Sequence, residues 1–411
     1  MNRILSILLA IAASATSFAG DKVIIDGVCY QLNDKKQTAT VVKNQQSCQG
    51  DIVIPEKVNG DSLSYYVEEI SAFAFAGQTA ITSLEVPKTV TKIGPNAFAD
   101  CSSMKTITLP KSITELPTEL FAGCSSLETI NLPGTINKLS YGIFRDCRSL
   151  HTFALPNSIT NLPHHSFAGC SNLTEITLPA GLTKIGNSAF EQCTSLQEIE
   201  IPTSVKEIGS NAFRGCSSLS TFQFPSSLST IAGNLFDGCT SLKNIRIPNS
   251  ISQISQNAFR GCTSLDSLAL PNSVREIGSS CFKDCSNLRR IILPNGLSEI
   301  SSNAFQGCSN LERITLPNSL KEIGSKAFEG CTSLQMLSIP SSLKEIGSDA
   351  FDKCANLRRV YVLGAAPPKI SGSSFDKQTY REAILYLRKG SIGNYQINKQ
   401  WNKFLDMEEW Q

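Results

Sequence analysis

The sequence predicts an α/β solenoid, in which one short unit is stacked many times, because three residue types recur at one fixed interval. Twelve of the 15 cysteines are spaced 23 residues apart, from Cys101 to Cys354. Prolines keep the same interval from Pro87 to Pro340, and phenylalanines begin the same register at Phe75. Repetition of this kind is typical of stacked repeats, since one unit alone cannot bury both faces of its strand.

The repeated unit reads L-x-x-I-x-L-P-x-S-[LVI]-x-x-I-G-x-x-A-F-x-G-C-[ST]-[SN]. Its first part alternates apolar and polar residues, which indicates a strand, and proline ends that strand because it lacks an N–H for the next ladder bond. The glycine after the second isoleucine is expected to take positive φ in a tight turn. The Ala-Phe pair is expected in a short helical or 3-10 turn, capped by the Ser or Asn before it. Some fourteen coils of about 4.8 Å then predict a rod of roughly 65 Å with one long parallel sheet on its inner face.

Segments such as SLETINLP and TEITLPAGLTKIGNSAFEQC resemble the BspA-like class of bacterial leucine-rich repeats, and the resemblance extends over nearly all of the mature chain. It implies a leucine-rich-repeat right-handed coil with a parallel β-sheet on the concave face and short helical or 3-10 turns on the other side. It also implies a surface or secreted bacterial protein, in a family frequently described as adhesins for host matrix proteins.

The first 19 residues are predicted to be a signal peptide. Arg3 supplies the positive start, and residues 4–13 form an apolar run too short to span a bilayer. Ser17 and Ala19 suit cleavage after Ala19. We therefore expect an exported protein that is secreted, held at the cell surface or periplasmic. No later apolar segment is long enough for membrane insertion, so none is expected.

The rest of the chain is predicted to be a solenoid between two caps. Residues 20–50 are expected to form a β-hairpin around the polar NDKKQ turn, which would cover the apolar edge of the first coil. Residues 51–363 are assigned to the 23-residue units, and residues 364–411 to a C-terminal capping unit in which AILYLRK forms a last strand. Both tryptophans lie in that C-terminal tail, which suits a lid over the final coil.

The cysteine column is predicted to consist of buried free thiols. Stacked side chains point the same way, which leaves Cβ atoms near 5 Å apart, whereas a disulfide needs about 3.8 Å. Small apolar thiols with weak S–H donors to coil carbonyls fit the column better. Cys281 replaces the usual alanine and is expected to be buried as well. Cys29 and Cys48 flank the hairpin, and an exported protein could oxidise them, so both the bridged and the free form remain open for this pair.

No chemistry-bearing motif stands out from the repeat. The pair His164-His165 is expected to lie in a solvated loop, because adjacent residues of an extended segment point opposite ways. A thiol nucleophile needs a histidine partner, and the thiols are predicted to be buried. The formal net charge of +2 gives no reason to expect nucleic acid as a partner. We therefore predict neither an enzyme nor a cofactor or metal site.

The repeat leaves two side chains per strand free to vary, the residues before and after the central isoleucine, and these should project from the inner sheet away from the core. They are small and hydroxylated in the early coils, then acidic, then basic with large apolar residues. The candidate partner-binding residues are Glu175, Glu198, Glu200, Arg246, Arg290, Ile292, Arg313, Met336, Arg359 and Tyr361. Arginine, tyrosine and methionine are enriched at interface centres, although a solvated sheet surface would also explain the charges.

The leading functional hypothesis is an exported, monomeric binding module, an adhesin or host-protein ligand whose partner could be an extracellular-matrix protein. A structural or periplasmic scaffold without a dedicated partner is the alternative. Carbohydrate capture ranks third, because the two variable positions hold a single aromatic residue, Tyr361, on which a sugar ring could pack.

Overall fold

Short strands and turns, with hardly any helix, form the 23-residue coils. The computed structural model describes residues 16–18 and 22–410. The chain divides into two compact units, Met1–Cys147 and Arg148–Gln411. Both are β-solenoids, with about 15 turns in the chain as a whole. The predicted signal peptide, residues 1–19, falls almost entirely outside the described residues.

The first unit begins with antiparallel strands and continues into coils. Its strands are β1 (Thr16–Phe18), β2 (Lys22–Ile25), β3 (Val28–Asn33), β4 (Thr38–Val41), β5 (Gln49–Val53), β6 (Lys57–Asn59), β7 (Ser64–Ile70), β8 (Ala80–Glu85), β9 (Lys92–Ile93), β10 (Thr106–Thr108), β11 (Glu115–Leu116) and β12 (Lys138–Leu139). Strands β3 and β4 pair antiparallel where the hairpin was expected, and β2 adds a further strand on the other side of β3. The order of this first sheet is β1-β2-β3-β4-β7-β6, with β9 paired to β7.

The second unit is a stack of coils followed by three short helices and two final strands. Its strands are β13 (Thr152–Ala154), β14 (Asn161–Leu162), β15 (Glu175–Thr177), β16 (Lys184–Ile185), β17 (Glu207–Ile208), β18 (Thr221–Gln223), β19 (Thr230–Ile231), β20 (Asn244–Arg246), β21 (Gln253–Ile254), β22 (Ser267–Ala269), β23 (Glu276–Ile277), β24 (Arg290–Ile292), β25 (Glu299–Ile300), β26 (Arg313–Ile314), β27 (Glu322–Ile323), β28 (Met336–Ile339), β29 (Glu345–Ile346), β30 (Arg359–Val362), β31 (Lys369–Ile370), β32 (Ile384–Arg388) and β33 (Asp406–Trp410). The helices are α1 (Lys377–Glu382), α2 (Ile392–Gln396) and the 3-10 turn Trp401–Lys403, all in the C-terminal segment.

Most coils of the second unit contribute to two parallel ladders. The first ladder contains the strands that precede the repeated proline, such as β24, and the second contains the two-residue return strands, such as β25. The prediction of one long parallel sheet is wrong, because the first ladder divides into the separate groups β13-β15, β18-β20, β22-β24-β26 and β28-β30-β32-β33. Strands this short share so few hydrogen bonds that small changes between neighbouring coils end the pairing.

The Ala-Phe segment is a chain of turns, so the expected helical or 3-10 turn is also wrong for the repeats. In the coil around Phe282, the N–H groups of Ser280, Phe282 and Asp284 donate to carbonyl groups of the next coil. A helix would need every N–H for bonds within its own turn. Ser280 and Asp284 instead have φ of 56° and 60°, and these left-handed residues turn alternate N–H groups outward. The residue before Ala-Phe is therefore a left-handed turn residue and not a helix cap, which explains the frequent asparagine.

Glycine recurs after the second isoleucine of the repeat because of the space available there, and not because the position needs a positive φ. Gly278 has no left-handed backbone, but an added Cβ atom would lie 2.6 Å from the carbonyl carbon of Ser255 in the preceding coil. Gly186 meets the backbone of Pro163 and His164 in the same way, also at 2.6 Å. The expected role is corrected accordingly: this glycine permits close approach between coils, whereas the glycine before the cysteine has positive φ.

Phenylalanine and cysteine fill the core in parallel columns. Phe259, Phe282 and Phe305 are fully buried, and successive ring centroids lie 5.4 Å apart in nearly parallel planes. All 15 cysteines are free thiols and buried. The Cys285 thiol donates to the carbonyl oxygen of Phe259 at 3.0 Å, and the same bond recurs in coil after coil. The free-thiol column with S–H donors is thus confirmed.

Three further cysteines lie outside this column, and none is bridged. Cys281 is fully buried, as expected for a residue that replaces alanine. The Cys48 thiol donates to the carbonyl of Gly27 at 3.3 Å and accepts from Asn44 Nδ2 at 3.1 Å. Cys29 is likewise free, so the structure selects the unbridged form of the Cys29 and Cys48 pair.

The C-terminal segment extends the first ladder by two strands. AILYLRK forms β32, as expected for a strand, but β33 follows it and pairs with it in parallel. The two tryptophans therefore differ. Trp401 is buried and its Nε1 donates to the carbonyl of Pro368 at 2.8 Å, which suits a capping role, whereas Trp410 ends β33 beside Arg388.

Candidate functional site

The variable side chains of the first ladder lie on its exposed side, as the alternation predicts. In β24, Arg290 and Ile292 are exposed while Ile291 between them is buried, and the same order recurs in β15, β22 and β26. The exposed positions form two rows, because parallel strands align equivalent residues. Neighbouring members of one row lie about 4.8 Å apart at Cα.

The structure brings six of the ten predicted residues together. Arg290 pairs in register with Arg313, and Met336 pairs with Arg359 in the next group of strands, while β26 and β28 are adjacent. Ile292 and Tyr361 follow on the second row of the same strands. We call this surface the arginine face; it consists of Arg290, Ile292, Arg313, Met336, Arg359 and Tyr361.

The four remaining predicted residues lie outside the arginine face. Arg246 ends β20, which pairs with β18 and not with the strands of the face. Glu175 lies on β15, and Glu198 and Glu200 are exposed in a segment to which no strand is assigned, before the return strand β17 of the same coil. The acidic residues therefore form a separate stretch, several coils before the arginines.

The arginines of the face have no acidic partner among residues 16–18 and 22–410, although their chain neighbours do. Arg289 lies 3.6 Å from Asp266, and Arg358 lies 2.9 Å from Glu382. Arg290 and Arg359 are the residues directly after them, yet their guanidinium groups point to the exposed side without an ion pair. Since like charges aligned across strands are unfavourable, the Arg290–Arg313 pair retains an electrostatic cost that an external anion would relieve.

Large apolar side chains lie exposed between these charges. Ile292 is 49% exposed and Met336 is 37% exposed. At the C-terminal end of the face the Tyr361 ring stacks on Tyr386, with centroids 4.6 Å apart and planes 13° apart. Desolvation, the charge of the Glu408 carboxylate and the nearby ionisable hydroxyl of Tyr361 raise the pKa of the Tyr386 hydroxyl.

Sequence reasoning missed Tyr386, which belongs to the same row as Tyr361. Strand β32 places Ile384 and Tyr386 on the exposed side, and β33 continues the rows with Asp406 and Glu408. The alternation within AILYLRK carries this signal, because Leu385 and Leu387 are buried whereas Ile384 and Tyr386 are not.

Two depressions open on this side of the second unit. One of about 560 Å³ lies over β24 and β26, and its lining includes three arginines, one carboxylate and the apolar Ile292: Arg289, Arg290, Ile292, Glu312, Arg313 and Thr315. The other, of about 1080 Å³, is lined by residues of β18, β20 and β22, among them Arg246. Both are open surface features, and the first lies between the two aligned arginines.

The other polar candidates have structural partners. His164 Nδ1 accepts a hydrogen bond from the backbone N–H of Asn187 at 2.7 Å, so the ring holds neighbouring coils. Burial raises the pKa of the Cys216 and Cys285 thiols to about 12, which disfavours thiolate formation. Across the part of the chain that the structure describes, no cluster of three or more His, Cys, Asp or Glu side chains has the arrangement of a metal site. None of the helices in that same part has the length and apolar character needed to cross a bilayer.

Similarity to solved structures agrees with this architecture. A leucine-rich repeat protein from Bacteroides ovatus is 29% identical, with a TM-score of 0.83 over 94% of this chain and 99% of the other. A leucine-rich cell surface protein from Faecalibacterium prausnitzii is 28% identical, with a TM-score of 0.61 over 87% of this chain and 96% of the other. A comparison with curated proteins returns no match.

The repeats themselves match a family model. The model describes a BspA type leucine-rich repeat region and matches residues 68–194, 139–266 and 252–382. These ranges together extend over well more than half of the 411 residues. The chain therefore belongs to the family of BspA-type leucine-rich repeat proteins.

Proposed function

We propose that this chain is an exported, non-catalytic binding protein, a surface adhesin or host-protein ligand that recognises its partner through the arginine face. The observation that carries the proposal is the set of exposed arginines without acidic partners, interleaved with Ile292, Met336 and the stacked tyrosines. Such a mixture of guanidinium, aromatic and apolar groups is typical of interface centres. The arginine face would then be the concave side of the solenoid.

Two further observations support this proposal. The core phenylalanines, cysteines and glycines are already explained by packing, so the variable rows are where the repeat leaves freedom for recognition. The Faecalibacterium prausnitzii relative is described as a cell surface protein, and it is 28% identical to this chain. Export follows from the signal peptide expected over residues 1–19.

Charge reversal on the face tests the proposed function. The triple variant Arg290→Glu, Arg313→Glu, Arg359→Glu should reduce binding to immobilised host extracellular-matrix extract at least tenfold in surface plasmon resonance, because three attractive contacts become repulsive. Its melting temperature should stay within about 2 °C of wild type, since exposed substitutions of this kind change stability little. Unchanged binding would move the site to another surface, such as the convex side.

The location at the surface has its own test. Protease treatment of intact cells that express the full chain should release fragments of the solenoid if it is displayed outside. A periplasmic scaffold would be protected until the outer envelope is opened, so protection in intact cells would contradict the adhesin proposal.

Carbohydrate capture stays a second candidate because of one observation. The Tyr361–Tyr386 stack adds a second aromatic ring to the face, and sugar rings pack on such surfaces. An immobilised panel of neutral host glycans separates the two candidates: glycan binding that Tyr386→Ala removes and the triple arginine variant retains would favour carbohydrate.

A further inference from the structure

We propose that the arginine face binds an acidic polypeptide segment of about five residues that carries apolar side chains beside its carboxylates. This inference rests on the proposed function and specifies the chemistry of the partner. It follows from the spacing, the missing counter-charges and the apolar content of the face.

The spacing sets the size of the segment. Arg290, Arg313, Met336 and Arg359 occupy one row on four successive coils, so the outer two arginines are three coil steps apart, or about 14 Å. An extended polypeptide advances about 3.4 Å per residue, so roughly five residues cover this distance. Guanidinium groups at this spacing match a chain with several carboxylates, because each one can accept a paired hydrogen bond from an arginine fork.

The charge distribution confines an acidic ligand to these coils. Beyond Tyr386 the same rows continue with Asp406 and Glu408, which would repel carboxylates. At the other end, Ser267 and Ala269 of β22 carry no charge and separate the arginine face from Arg246, one coil earlier. The positive stretch from β24 to β30 therefore ends at a neutral coil on one side and at acidic residues on the other.

The apolar groups distinguish a polypeptide from a sulfated polysaccharide. Ile292 and Met336 lie exposed beside the arginines, at positions where half of the other coils have Thr, Ser or Ala. A polyanionic sugar would leave these side chains without a partner, whereas leucine or phenylalanine beside glutamate would cover them. The depression between Arg290 and Arg313 has room for one acidic side chain of such a segment, because its three arginines outnumber its one carboxylate, Glu312.

Binding of short peptides to the full chain tests this inference by fluorescence anisotropy. The peptide GEELEFG should bind, while GQQLQFG, which lacks the carboxylates, and GEESESG, which lacks the apolar residues, should each bind at least tenfold more weakly. Arg290→Gln and Arg313→Gln should each weaken binding of GEELEFG about tenfold, because each removes a charge-assisted bidentate contact. Raising the salt from 50 to 500 mM should weaken it further, because exposed charges are screened.

The chain offers a matched control one residue away from Arg359. Arg358→Gln removes an arginine that already has an acidic partner and lies outside the depression, so it should change the affinity less than threefold. An equal loss from this control, equal binding of the glutamine peptide, or tighter competition by heparin oligosaccharides than by GEELEFG would each overturn the inference. If the triple reversal abolishes matrix binding but GEELEFG does not bind, the arginine face is the binding site and the inferred acidic peptide ligand is wrong. If GEELEFG binds but the matrix extract does not, the adhesin proposal fails and the inferred peptide ligand is supported.

Discussion

Between pH 9 and pH 11 the second unit is expected to unfold, because its core contains a column of thiols that cannot ionise where they lie. Burial raises the pKa of the Cys216 and Cys285 thiols from 9.0 to about 12, and the pKa of Cys262 and Cys308 well above 9.0. Unfolding restores the ordinary value, so the unfolded chain loses these protons first. Stability is then full below pH 9 and falls as the pH rises toward 12.

The size of this effect follows from proton linkage. Each thiol lowers the free energy of unfolding by roughly 1.4 kcal/mol per pH unit in this range. Nine cysteines of the second unit have a raised pKa, the column members Cys193, Cys216, Cys239, Cys262, Cys285, Cys308, Cys331 and Cys354 together with Cys281. At pH 10 their summed effect is on the order of 10 kcal/mol, which is comparable with the total stability of an ordinary domain.

Urea unfolding followed by circular dichroism at half-unit pH steps, in the presence of a reductant, checks this expectation. Tyrosine and lysine also titrate at high pH, so the double variant Cys216→Ala, Cys285→Ala serves as the control. Above pH 9 its stability should fall less steeply than that of wild type, by about two protons. A stability that stays flat to pH 11, or an identical slope in the variant, would show that the thiol column does not govern the alkaline limit.

The column itself could be read from the sequence, because a strict interval places equivalent residues in equivalent environments. Every cysteine of the 23-residue register from Cys101 to Cys354 is buried, and so is every phenylalanine of that register from Phe75 to Phe351. Turn conformation could not be read in the same way. Whether an N–H donates within its own coil or to the next coil depends on inter-coil geometry, and the N–H of Phe282 donates to the carbonyl of Ala304 in the next coil.

In the candidate site, too, some features could be predicted from the sequence and others could not. Alternation within one strand predicts that Arg290 and Ile292 are exposed, since it is a local property. Tyr386 was missed because it pairs with Tyr361 at an interval of 25 residues and not 23. The longer interval arises because the segment around Pro367 and Pro368 lengthens the last coil. The absence of counter-charges is also a spatial fact, since it depends on where the acidic groups of other coils lie.

Removal of one ring from the middle of the phenylalanine column is expected to be the most damaging single substitution. Phe282 is fully buried and stacks on Phe259 and Phe305 at 5.4 Å on either side. Phe282→Ala should lower the free energy of unfolding by about 3–5 kcal/mol, because it removes buried apolar surface and leaves a cavity that stacked coils cannot close. Urea unfolding at pH 7 measures this loss.

Ile292→Ala is the matched control, because it removes an apolar side chain ten positions away that is 49% exposed. Its cost should stay below about 1 kcal/mol, since little buried surface is lost. The Phe282 variant should also unfold less cooperatively. In a solenoid each coil contacts its nearest neighbours, so a weakened coil uncouples the coils on its two sides, and the urea dependence of unfolding becomes shallower. Equal losses for the two variants would mean that the stacked rings do not hold the coils together, and the hydrogen bonds between neighbouring coils would then carry the cohesion instead.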